Sequence, residues 1–205
     1  SFEKAVSCDS ISYFGGIVAF NKKIESKVAK KLIQPFLECI ICPDIDDEAL
    51  NILKMKKNLR IIVYNSKFNF NNKSIRSVMG GFLSQTLSIN HSKDWSVVTQ
   101  SKPSNAKLDA LKLGWKIVKY VKSNAIVIAN EKQIIGVGAG QMSRIDSVKI
   151  AIQKSIENGF NLKNTILASD AFFPFSDSIQ LASKYGIKHF IQPGGSIKDK
   201  EIIKM

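Results

Sequence analysis

The chain has 205 residues, a formal charge of +13, 44% hydrophobic and 23% charged residues, enough for one large domain or two small ones with a true core. No apolar run reaches the ~18–20 residues of a membrane span, and the N-terminus SFEKAVSCDS has no signal-peptide pattern, so a cytoplasmic location is expected. Of the 30 basic residues only Arg60, Arg76 and Arg144 are arginine, whereas readers of base edges lean on arginine forks.

In chain order, SFEKAVSCDS reads as the tail of a helix, and SYFGGIVAF as a glycine turn into a strand. Residues 25–34 show helical spacing through Val28, Leu32 and Ile33, ECIIC is a short buried strand, and DIDDEALNILKMKKN is a helix with an acidic start and a lysine-rich end that suit its dipole. LRIIVYN is a further strand, and this β-α-β-α-β order predicts an α/β layer architecture. KFNFNNKS is polar and turn-like, and SVMGGFLSQT reads as an extended segment crossing between subdomains. The expected division is a first subdomain over 1–80, a connecting segment over 81–95 and a second subdomain over 96–205.

Residues 104–122 form a helix with Leu108, Leu111, Trp115, Val118 and Val121 on one face. SNAIVIA and QIIGVG are strands joined as a hairpin by NEKQ. SRIDSVKIAIQKSIENG is amphipathic through Ile145, Val148, Ile152 and Ile156, with Ser143 as N-cap and Gly159 as stop. TILASDAFFPF is a strand running into a loop, followed by a helix over 177–185, the strand KHFIQPGG and a last helix, SIKDKEIIKM.

Cys39 and Cys42 form a CxxC inside a buried strand, where residues three apart point to opposite faces. With no second CxxC and with His91 and His189 remote in sequence, no zinc or other metal site is expected. The lysines are scattered, and a chain rich in Lys, Ile and Asn fits AT-rich codons better than a nucleic-acid site. Neither histidine has a catalytic setting, so no general base is evident.

Three turns each follow a strand and could meet a ligand. GVGAGQMSR has close glycines leading into a helix N-terminus, with Arg144 at its mouth suited to phosphate or else a surface arginine. PGGS repeats that logic with accessible backbone N–H groups. SDAFFPFSD packs three rings and a proline between two carboxylates, as a slot for a flat, partly polar molecule would. Strand ends are where ligands gather in open α/β sheets, so the residues point to a module binding a flat, anionic small molecule.

VKSNAIVIA, IIGVGAGQMSRIDSVKIA, ASDAFFPFSD and FIQPGGSIKD, with ISYFGGIVAFN, ECIICP and GGFLSQT earlier, resemble the transformylase domain of the bifunctional purine biosynthesis enzymes that join AICAR formyltransferase to IMP cyclohydrolase. The resemblance implies a cytidine-deaminase-like fold of two related α/β subdomains and a homodimer with composite active sites. It implies formyl transfer from 10-formyltetrahydrofolate to the 5-amino group of AICAR. By motif, Gly15, Glu38, Asn124, Arg144 and Phe172 match positions that hold AICAR, and Ile145, Asp177, Ser196 and Ile197 match positions that hold the folate. Asn124 is also the candidate for polarising the reacting centre. Asp170 is open between a ligand contact and orienting its loop through backbone hydrogen bonds.

The family's Lys-His pair, in a KHxNPCG-like motif, lies upstream of the matched region and is not in this sequence, nor are the family's closing C-terminal segment and cyclohydrolase domain. The expectation is a stretch cut from a longer protein and inactive alone. Ser176 stands where the family usually has arginine in PFRD, so a salt bridge from that position is lost. A monovalent cation held by backbone oxygens belongs to the same family picture. Two other readings stand beside it: a nicotinamide-dependent oxidoreductase, which requires NAD at GVGAGQ, and a basic nucleic-acid binder, which requires salt-dependent affinity.

Overall fold

A computed structural model describes residues 1–64, 73–87 and 95–205. It is a mixed α/β protein whose backbone divides into two units, Ile11–Lys93 and Ser1–Ser10 with Asp94–Met205. His91 and most of KFNFNNKS lie outside the described residues.

The unit of residues 11–93 contains β1 (Gly16–Ala19), α2 (Ser26–Leu32), β2 (Leu37–Cys42), α3 (Asp47–Leu53) and β3 (Arg60–Val63), with the strands parallel in the order β1-β2-β3. Right-handed crossovers that step in one direction put both helices on the same face of such a sheet. Alternation then assigns fully buried Ile40 and Cys42 to one face and Ile41 with its neighbour Ile62, half exposed, to the other. Cys39 and Cys42 are buried free thiols, as two packed cysteines should be.

Two expectations need correction in this unit. The lysine-rich tail of α3 is not helical: the helix stops at Leu53 with no basic residue in its last turn, and Lys54–Asn58 wind out in turns. SVMGGFLSQT is not a crossing segment but part of a hairpin. β4 (Lys73–Val78) pairs antiparallel with β5 (Gly81–Thr86), and Gly80 turns the chain at φ +82°.

The other unit is built on a four-stranded sheet in the order β7-β6-β8-β9, from β6 (Ile126–Ala129), β7 (Ile134–Gly138), β8 (Ile166–Ser169) and β9 (His189–Ile191). β6 and β7 form the expected hairpin, β8 runs antiparallel to β6, and β9 runs parallel to β8. Every residue of β6 and β8 is buried, because helices cover both faces. Val127, Ala129, Ile166 and Ala168 pack toward α4 (Asn105–Val118), with Leu111, Val118 and Trp115 against them. Ile126, Ile128 and Leu167 point the other way, toward α5 (Arg144–Glu157), α6 (Asp177–Lys184) and α7 (Asp199–Lys204).

The expected N-cap of α5 holds: Ser143 Oγ accepts from Asp146 N–H at 3.3 Å. Its apolar stripe is shorter than expected, for Ile156 is half exposed while Val148 and Ile152 are buried. The first helix, α1 (Phe2–Val6), belongs to this unit. Gln133 donates to Lys4 O and Ser7 Oγ, and Asn158 donates to Cys8 O.

Candidate functional site

Register decides where the site segments meet. Ile126, the first residue of β6, pairs with Gly138, the last of β7, and with Ser169, the last of β8. β9 runs alongside β8 in the same direction. The segment entering β6 and the segments leaving β7, β8 and β9 therefore share one edge of the sheet, and with them Asn124, Arg144, Phe172 and the PGGS turn.

At the centre is Arg144, on the first turn of α5. Its Nη1 donates to Asp170 Oδ1 at 2.6 Å and Ser169 Oγ at 2.8 Å, and its Nη2 donates to Asn124 Oδ1 at 2.9 Å. The Arg144 side chain is 9% exposed and that of Asp170 18%. Arg144 is thus not a surface arginine; a charge so buried needs the partner it has.

Asn124 follows a cis peptide bond from Ser123, and its Nδ2 donates to Gln141 O at 2.9 Å and Met142 O at 3.2 Å. Both ends of its amide are engaged by the protein. Ser147, one turn into α5, donates to Asn124 O at 2.7 Å. Asp170 exchanges backbone bonds with the same segment, its Oδ1 accepting from Ala125 N–H and its own N–H donating to Ala125 O. Burial pushes the Asp170 carboxyl up, but hydrogen bonds from Ser123, Arg144 and Ala125 outweigh it and hold the group below its ordinary value.

The glycines of GVGAG have a different purpose from the one their spacing suggests. A Cβ at Gly138 would lie 1.9 Å from Ser147 O, and one at Gly136 would lie 2.3 Å from Ala151 O. Both face the backbone of α5, which packs directly on β7. The pattern admits a helix, and its hairpin setting lacks the parallel strand a dinucleotide fingerprint requires.

The rings of SDAFFPFSD divide. Phe173 is fully buried against Phe190, edge to face at 6.4 Å, and its N–H donates to Gln192 Oε1. Phe172 is 41% and Phe175 63% exposed. The loop thus has one anchor and two outward rings, where the sequence suggested three lining a slot. Met142 and Ile197, on neighbouring segments of the same edge, are wholly exposed.

Asp177 opens α6 and accepts from Ser178 N–H at 2.6 Å, and Ile145 is half-buried beside Arg144. The PGGS turn is not the open nest expected: Gly195 N–H and Ser196 N–H both donate to Asp199 Oδ2, at 2.7 and 3.1 Å. The remaining two candidates belong to the other unit. Gly15, at φ +71°, donates its N–H to Phe36 O, and Glu38, two residues on, accepts from Arg60 at 2.5 Å.

Sequence reasoning missed Ser147, Ser169 and Asp199, the groups that fix Asn124, Arg144 and the PGGS turn. Only the Asp199 spacing, four residues after Gly195, left a local trace. His189 stands at the far end of β9, paired with Ile166, the first residue of β8. Its Nδ1 is buried without a hydrogen bond, and burial with nearby Lys107 holds its pKa below the usual histidine value. The described residues contain no cluster of three or more metal-ligating side chains.

A largely buried Arg-Asp-Asn network, with exposed rings beside it, thus lies at the end of the sheet where ligands gather in α/β proteins. The family described as AICARFT/IMPCHase bienzyme matches residues 1–154, and the chain belongs to that family. It is 49% identical over 209 residues to the bifunctional purine biosynthesis protein PurH of Prochlorococcus marinus strain MED4. It is 47% identical over 204 residues to the protein of that name from Aquifex aeolicus, and 46% over 211 residues to that from Ligilactobacillus salivarius. The matches cover 99–100% of this chain and 40% of each relative, so the chain spans about two fifths of their length.

Proposed function

We propose that this chain supplies part of the site that transfers a formyl group from 10-formyltetrahydrofolate to the 5-amino group of AICAR, in purine biosynthesis. The observation that carries the reading is the convergence of Asn124, Arg144, Ile145, Phe172 and the PGGS turn on one sheet edge in a chain of this family. In this reading Phe172 packs on the imidazole ring, and the Asp177 carboxylate accepts from the N–H groups of the pterin. Ser196 and Ile197 complete the folate side, and Gly15 and Glu38 serve the nucleotide. The cytidine-deaminase-like arrangement of two related subdomains, the homodimer, a cytoplasmic location and a monovalent cation held by backbone oxygens belong to the same proposal.

In the reaction the amine nitrogen attacks the formyl carbon, the bond from that carbon to N10 of the folate breaks, and the proton lost by the amine is balanced by one gained at N10. The amine is a weak nucleophile because its lone pair is conjugated toward the carboxamide, so a base must take its proton and donors must meet the oxyanion. Arg144, with two N–H donors left over, is a rigid donor suited to the second task, and Asn124, whose own amide is fully engaged, holds it in place. The first lacks a candidate at this edge: His189 lies at the opposite end of its strand and prefers to be neutral in its buried setting. The base in this proposal is the family's Lys-His pair, which these 205 residues do not contain.

The test measures tetrahydrofolate release with saturating AICAR and 10-formyltetrahydrofolate. The 205-residue polypeptide should be silent, while a chimera in which it replaces the matching stretch of the Aquifex protein should turn over. Turnover by the polypeptide alone would refute the missing base. A folded but silent chimera would refute the assignment.

A further inference from the structure

Asp170 is outside the set of ligand positions implied by resemblance, yet three of that set depend on it. One oxygen, Oδ1, takes Arg144 Nη1–H at 2.6 Å and Ala125 N–H at 3.1 Å. Ala125 adjoins Asn124, and Arg144 holds Asn124 Oδ1 from the other side at 2.9 Å. Phe172 follows Asp170 by two residues, and Ser169 Oγ ties that turn by donating to Ala171 O at 2.7 Å. The carboxylate has donors from the protein itself in Arg144, Ala125 and Ser123, and its side chain is largely covered.

We propose that Asp170 is a positioning residue for formyl transfer, orienting Arg144 and Asn124 as one unit and cancelling the charge of the guanidinium. This rests on the function proposed above. Three of the five N–H donors of Arg144 are taken by Asp170, Ser169 and Asn124. The remaining donors belong to a neutralised pair. Such a pair suits a neutral carbonyl, or an oxygen that gains charge only during reaction, better than a phosphate that is charged throughout. Arg144 is then selective for the reacting end of the nucleotide.

Arginine side-chain NMR can test this, because the chain has only three arginines and Arg144→Lys assigns the signal. In the wild-type chain the Arg144 Nη groups should appear as separate, slowly rotating resonances. Asp170→Asn keeps an oxygen for Ala125 N–H but removes the charge, and should merge those resonances without altering backbone dispersion. If Asp170→Asn does not fold, the wild-type spectrum decides: merged Nη signals there would overturn the clamp. Retained separation in a folded Asp170→Asn would overturn it too.

Calorimetry with AICAR on the chimera described above adds the functional arm. Asp170→Asn should weaken binding about tenfold or more, the worth of one charge-assisted contact, and Asp170→Glu should restore part of it. Full affinity in Asp170→Asn would overturn the positioning role. A folded chimera that binds no AICAR would instead sink the functional reading, and the role of Asp170 in it.

Discussion

Replacing Gly138 by alanine would place a Cβ 1.9 Å from Ser147 O and 2.6 Å from Ser147 C, about 1.5 Å inside ordinary contact. The obstacle is helix backbone, so no rotamer change relieves it; α5 must move off β7 or β7 must bend. Overpacking a core costs about 1–3 kcal/mol, and a clash with backbone belongs at the upper end, about 3 kcal/mol. At roughly 4 °C per kcal/mol for a domain of this size, the melting temperature should fall by about 12 °C. Gly159→Ala, at the end of the same helix, is the control: φ is +76° and a Cβ would meet open space, so only the left-handed strain of about 1–2 kcal/mol applies. Thermal and urea unfolding of both variants measure the difference. If Gly138→Ala costs no more than Gly159→Ala, the close packing of α5 on β7 is wrong. Because Ser147 also holds Asn124 O, the larger displacement should also disturb the position of Asn124.

Two further outcomes follow from burial and charge. Phe173→Ala should cost about 3–5 kcal/mol in urea unfolding, as for other fully buried rings, whereas Phe175→Ala, 63% exposed in the same loop, should leave stability nearly unchanged. For Asp170 the folded carboxyl lies below its unfolded value, so its stabilisation is complete above the unfolded pKa and is lost as pH falls through the folded one. The gap between wild type and Asp170→Asn should therefore be constant from pH 7 down to about 5 and shrink below about 4; a constant gap to pH 2 would show that the charge contributes nothing.

Elements with a clean period were legible. The 3.6-residue stripe of α4, the apolar run of β6 and the NEKQ turn all depend on neighbours within a few positions. The hairpin β4–β5 carried its signal too, the Gly80-Gly81 pair, but its strands are exposed on both faces and lack the alternation that would have supported it. The site was legible as a set of residues and illegible as a network. Arg144 meets Asp170 across 26 positions and Asn124 across 20, and composition says nothing about which carboxylate a given arginine will find. The glycines of GVGAG were ambiguous in principle, since close approach to a ligand and close approach to a helix demand the same missing Cβ. Phe172 and Phe173 are chemically alike, and only the packing of α6 and α7 separates a core ring from an exposed one.

The short first helix has a consequence for how the chain is made. Asn158, which donates to Cys8 O, follows it by 150 residues, and Gln133 follows Ser7 by 126. At ~5–20 residues per second, ribosomal synthesis delays these particular hydrogen bonds by on the order of ten seconds. The contacts of Lys4, Ser7 and Cys8 with the rest of this unit are therefore among the last to form as the chain is made.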